Sequence, residues 1–135
     1  MLAQRVAQRF GSLGYHVRRE VPYLSRSVDM VFLGSDAEPV AVEFKLRDWQ
    51  RAIKQAAFCL TGAAKAYICM PAQRVGETVV QAAKDRGVGV LVFHNEEGGF
   101  RCEERLPAPH SECLWPVGKA WLLRAFEQAP PEEAP

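Results

Sequence analysis

The sequence has no surplus charge of either sign, no paired cysteines and no long apolar run, and each shortage closes off a class of protein. Lysines and arginines number 17 against 16 acids. Contact with a polyanion must therefore be made by a local patch, not by the overall field. The four cysteines, Cys59, Cys69, Cys102 and Cys113, contain no CxxC spacing. They read as reduced thiols used as small core residues, not as zinc ligands or disulfides. No stretch of about 20 apolar residues is available to cross a bilayer, so no membrane partner is expected. The opening MLAQRVAQRF reads as an amphipathic helix without a leader's apolar run. No signal peptide is expected on that basis, and the expected location is the cytoplasm. His16, His94 and His110 are scattered singly and receive no catalytic role. Internal repeats and interior low-complexity segments are absent.

What remains is a chain of 135 residues, enough for one hydrophobic core. Residues 1–128 are expected to form one domain, and APPEEAP (129–135) a flexible tail. Leu2, Val6, Phe10 and Leu13 recur at helical spacing, with a stop near Gly11–Gly14. Three strands follow, YHVRREV (15–21), SVDMVFL (27–33) and PVAVEFKL (39–46). They are separated by the turn-like PYLSRS and the compact GSDAE, a pattern that predicts an antiparallel meander. Asp48 caps a helix lined by Trp49, Ile53, Ala56 and Leu60. A strand at 65–71, a helix closed by Gly87 and a strand at 88–93 predict a parallel crossover unit. FRCEERL is an edge-strand candidate, and a last helix runs from Trp115 to Gln128 with Leu122, Ala125 and Phe126 inward. The order implies an α/β fold, a central mixed sheet between two helix layers.

Against that background Glu43 and Lys45 stand out, because they share one face of a strand otherwise built from valine, alanine and phenylalanine. A symmetric turn at 34–38 places positions that sum to 72 opposite one another. Asp29 and Glu43 meet that condition, so two carboxylates oppose each other across adjacent strands. Such a pair repels unless a cation lies between, and hard oxygen ligands suit Mg²⁺ or Mn²⁺. The same reasoning sets Glu20 opposite Asp29, in a possible row of three acids across three strands, provided Pro22 does not shift the register. A second reading stays open: Glu43 and Lys45 as a weak salt bridge on the solvated face of an exposed meander.

Asp29, the spaced Glu43-Phe44-Lys45, the meander that carries them and the helix directly after resemble the PD-(D/E)XK nuclease superfamily, the restriction-endonuclease-like fold. The likeness covers roughly residues 2–71. It implies that Asp29 and Glu43 bind metal, that Lys45 is the catalytic lysine, and that the activity is Mg²⁺-dependent phosphodiester hydrolysis on DNA, as in repair, recombination or restriction. Three departures accompany it. Val28 precedes Asp29 where many members have proline. The first helix offers Gln4 and Gln8 where some relatives place an acid, leaving Glu20 as the nearest substitute. Gln55 matches a glutamine of some relatives but no tyrosine follows it, so it is a supporting candidate or a plain surface amide.

Arg47, Arg51 and Lys54 follow the proposed site, and Arg18, Arg19 and Arg26 come from the first strand and the loop after it. They are candidates for gripping phosphates, or ordinary solvated charges. So compact a chain has few elements with which to enclose a duplex, which points to a homodimer or a larger complex. The rival function keeps the fold and drops the chemistry: a catalytically inactive DNA-binding or protein-interaction module.

Overall fold

The computed structural model describes residues 2–96 and 99–131. Helix α1 (Leu2–Ser12) leads into strands β1 (His16–Tyr23), β2 (Arg26–Leu33) and β3 (Pro39–Phe44). Helix α2 (Trp49–Phe58) and a single 3-10 turn (Cys59–Thr61) precede β4 (Lys65–Pro71). A short 3-10 turn, helix α3 (Glu77–Asp85), strands β5 (Gly89–Glu96) and β6 (Gly99–Leu106), and helix α4 (Pro116–Gln128) complete the order. The six strands form one sheet in sequential order. The first three pair antiparallel, β3–β4 and β4–β5 pair parallel, and β6 returns antiparallel. This is the expected mixed sheet, and the α2 crossover makes β3–β4 a second parallel pair.

Two apolar layers cover the two faces. On one, Ala52, Ile53 and Ala56 of α2, Val79 and Ala83 of α3, and Leu122 and Phe126 of α4 meet Val31, Ala41, Ile68 and Val90 of the sheet. On the other, Val6 and Ala7 of α1 meet Val17, Met30, Phe32, Val42 and Leu91. Each large aliphatic side chain buried this way contributes about 1.5–3 kcal/mol. Asp48 begins α2 as foreseen, its Oδ1 accepting from the Arg51 N–H at 3.1 Å. Pro116 opens α4 at a position where a missing N–H costs nothing.

The β1–β2 hairpin turns over part-way along its length. Val17 lies in the α1 layer, yet Val21, at a position of the same parity, lies in the opposite layer. On the facing strand Met30 and Val28 are split in the same way. The crossover falls at Glu20, whose φ is +54°, and at Asp29 opposite. A left-handed residue interrupts the alternation of a strand, and because both strands do so together the pairing resumes in the same register at Val21↔Val28.

Several boundaries differ from the sequence reading. PYLSRS is not a loop: Pro22 and Tyr23 belong to β1, Arg26 and Ser27 to β2, and Leu24–Ser25 alone make the turn. The third strand ends at Phe44, two residues early, although one more backbone bond, Lys45 N–H to Cys69 C=O at 3.3 Å, extends its pairing. Leu46, left outside the shortened strand, is exposed, and so is Leu13, which lies beyond the end of α1. Cys59 and Cys69 are buried as expected; Cys102, on the edge strand β6, is half-buried, and Cys113, in the 107–114 connection, is exposed. Of the expected 129–135 tail, 132–135 lie outside the described residues, as do Glu97 and Gly98 of the predicted HNEEGG turn.

Candidate functional site

The β2–β3 register is the one the symmetric turn requires: Met30↔Val42, Val31↔Ala41 and Phe32↔Val40 all conform. One step further along lie Asp29 and Glu43. Asp29 Oδ2 accepts the Phe44 N–H at 2.8 Å, so a side chain takes the place of the next ladder bond. The two acids are thereby held together at the point where β2 turns over.

Glu43 is the buried charged residue among those described, 4 % exposed. That value decides against the solvated salt bridge, since an exposed pair would leave the carboxylate in water. Its pKa is raised to about 8, first by burial, then by the negative charge of Asp29 and a carboxyl–carboxyl hydrogen bond to it, with Lys45 pulling the other way. At neutral pH and without a cation, the pair holds a proton that a lone carboxyl would have released. Lys45, just past the strand end, is half-buried and close enough to act on Glu43 electrostatically.

The Glu43 carboxyl opens into a cavity of about 250 Å³ lined by Arg26, Arg51, Gln55, Phe58, Cys59 and Tyr23, among others. Helix α2 and the turn that continues it bring Arg51, Gln55 and Cys59 there, because they lie four residues apart and share one face. Gln55 therefore does reach the Glu43 pocket. Arg26 is drawn in from the hairpin, its guanidinium 5.1 Å from the Phe58 ring centre. Arg47 and Lys54 are exposed and do not line this cavity. Glu20 occupies the predicted register but is exposed, and the charges acting on Glu43 come from Asp29 and Lys45. Arg18 points under α4, 4.8 Å from the Phe126 ring centre.

Sequence reasoning overlooked Cys59. Its Sγ lies 3.9 Å from Glu43 Oε1 and donates to the Gln55 carbonyl at 3.3 Å. Burial, and then the Glu43 charge, push its thiol well above the ordinary range, so it stays protonated. The signal was available in its spacing four residues after Gln55. A larger cavity, about 440 Å³, lies on the α1 side against Phe10, Phe32, Tyr67 and Leu91 and contains none of the predicted site residues.

Whether a divalent cation fits is a question of donors. Among the described residues no three histidine, cysteine or acidic side chains gather to hold one. Mg²⁺ keeps several waters and is commonly held by one or two carboxylates. A buried acid paired with a second carboxylate, which keeps its proton up to about pH 8, suits that role. No helix among the described residues is long and apolar enough to cross a membrane.

No family model matches the chain. No curated protein matches it either. Among solved structures, a protein of unknown function from Silicibacter pomeroyi is similar over 93 % of this chain and 81 % of its own, at 22 % identity and a TM-score of 0.69. The fold is thus one already seen in a natural protein. A repair endonuclease from Pyrococcus abyssi is similar over 53 % of this chain and 34 % of its own, at 18 % identity and a TM-score of 0.39.

Proposed function

We propose that the chain is a metal-dependent nuclease of the PD-(D/E)XK type, hydrolysing DNA phosphodiester bonds at Asp29, Glu43 and Lys45. The observation that carries the proposal is the burial of Glu43 beside Asp29 and Lys45, at the wall of a pocket that also holds two arginines. Burying a carboxylate against a second acid costs several kcal/mol with no structural return. A site for a cation gives that cost a purpose.

Asp29 and Glu43 would hold Mg²⁺ or Mn²⁺, which when bound supplies Lewis-acid stabilisation of negative charge on the scissile phosphate. The chain's own groups do the rest. The Phe44 N–H fixes the Asp29 carboxylate, so one ligand is oriented before any ion arrives. Lys45 positions the attacking water and offsets charge that develops on the phosphate oxygens. Arg26 and Arg51 grip the flanking phosphates from the pocket rim. Gln55 supplies an amide that orients the substrate or the water, and Arg47 and Lys54 add a more distant positive field. Glu20 is left a peripheral role at the hairpin. Action on a duplex would call for a homodimer or a larger assembly.

The shortage of a third close acid favours one alternative, a nucleic-acid-binding module on the same fold that no longer cuts. Incubating plasmid, single-stranded and branched DNA with Mn²⁺ separates the two. Cleavage that disappears in Asp29→Ala and in Lys45→Ala establishes the enzyme. Binding without cleavage of any substrate establishes the module.

A further inference from the structure

The corner beside the Glu43 pocket carries an unusual density of exposed rings. Phe58, at the end of α2, is 37 % exposed and lines the pocket itself. Trp121 of α4 is 39 % exposed, and Trp115, just before α4, is 47 % exposed. One buried residue joins them. The Tyr23 ring makes edge-to-face contacts with Phe58 and with Trp121, each at 5.9 Å between centroids. Its hydroxyl is fixed by Thr61 Oγ1 at 2.6 Å, and the Trp115 N–H donates to the Thr61 carbonyl at 2.8 Å. The Phe58 and Trp121 rings thus pack against Tyr23 before any ligand arrives, which lowers the entropic cost of binding to them, while Trp115 is tied there through its main chain.

Charge says what this surface fits. Arg26 and Arg51 stand at the rim, and the acid lining the pocket, Glu43, is buried beneath it. Cations for phosphates next to ring faces for bases form the surface that unpaired nucleotides require. A duplex does not suit it, because paired bases are stacked on each other and present only their edges. The Arg26 guanidinium lies 5.1 Å from the Phe58 ring centre, which sets a cation for a phosphate directly beside that ring.

We propose that the Glu43 pocket takes single-stranded nucleic acid, with bases stacked on Phe58 and Trp121 and phosphates held by Arg26 and Arg51. The assignment rests on the phosphodiester reading of that pocket and narrows it to an unpaired strand. A single strand threading past the site needs no second subunit to enclose it.

Fluorescence anisotropy in EDTA tests the platform without catalysis. The probes are a short labelled oligothymidylate, the matching duplex, and an oligouridylate that separates DNA from RNA as the preferred strand. The single strand is expected to bind about tenfold or more tighter than the duplex, and Phe58→Ala and Trp121→Ala each to weaken it about tenfold. Trp121→Phe, which keeps a ring against Tyr23, recovers most of the loss, and its thermal melt confirms that folding is intact. Equal or tighter duplex binding overturns the proposal, as does single-strand binding indifferent to both ring removals. Absence of binding, with self-association that Trp121→Ala abolishes, also overturns it and makes the corner a contact between copies. Adding Mn²⁺ to the same probes reads the other question. Cleavage confined to duplex sinks the single-strand assignment and leaves the nuclease standing, whereas ring-dependent strand binding with no cleavage of these probes, plasmid or branched DNA keeps the platform and sinks the nuclease.

Discussion

Asp29 Oδ2 receives the main-chain N–H of Phe44 at 2.8 Å, so the acid of one strand is fastened to the backbone of the strand that carries Glu43. Asp29 cannot swing away from Glu43 without breaking that bond. Relief has to come from a proton or from a cation, and the two compete.

Calorimetric titration with Mn²⁺ should find one ion per chain and none when either Asp29 or Glu43 is alanine. Because the Glu43 proton must leave, affinity should rise with pH, by up to about tenfold per unit, as pH approaches about 8. A pH-independent affinity would place the ion elsewhere.

Metal-free stability should run the other way. The Glu43 pKa is raised on folding, so between the ordinary carboxylate range and about 8 the folded chain binds more protons than the unfolded one. The stability that Glu43 contributes is fully present below its unfolded pKa and is lost as pH rises towards 8, by at most about 5 kcal/mol. Glu43→Gln should flatten that slope and be the more stable protein above pH 8 in urea melts. An unchanged slope would show that the carboxyl finds water.

Lys45→Ala should slow cleavage about a hundredfold or more while leaving Mn²⁺ binding in place, since the ammonium group acts on charge that develops during the reaction. Quenched time courses on the favoured substrate give the ratio. Equal loss of metal binding would mean that Lys45 only shapes the site.

Glu20→Gly should keep cleavage and leave stability unchanged or raise it by about 1 kcal/mol, because glycine accepts the positive φ without strain. A large drop in rate at unchanged melting temperature would return Glu20 to the site.

Gly118→Ala should destabilise the chain although alanine is the better helix former by about 1 kcal/mol. An added Cβ would lie 2.6 Å from the Tyr23 hydroxyl and 2.8 Å from the Thr61 carbonyl, and backbone cannot give way cheaply. Overpacking of this kind costs about 1–3 kcal/mol, seen as a lower melting temperature. A higher melting temperature would show that Tyr23 is free to move, and with it the ring platform.

Much of the site was legible in the sequence because it depends on local counting. The five-residue turn fixes the β2–β3 register, and register fixes that Asp29 meets Glu43. The order of helices and strands likewise follows from periodicity and caps such as Asp48. What could not be read is three-dimensional in origin. The turnover at Glu20 and Asp29 has no signature in residue type, since glutamate is a poor choice for a positive φ. The tight turn at Leu24–Ser25 lacks glycine or asparagine, so PYLSRS looked like a loop. Cys59 reads as filler because its neighbours are apolar; its spacing from Gln55 places it on the same face, and the contact with Glu43 itself follows from how α2 lies across β3.

The turnover of the β1–β2 hairpin carries a consequence for how change is tolerated. Val17 and Met30 answer to one layer, Tyr23 and Val28 to the other, and both sets are anchored. Deleting a single residue between 20 and 29 would force one set of anchors into water. A polar group can persist at the seam without displacing an apolar one, since neither layer claims the position. New chemistry is therefore most readily grafted onto this scaffold at that seam.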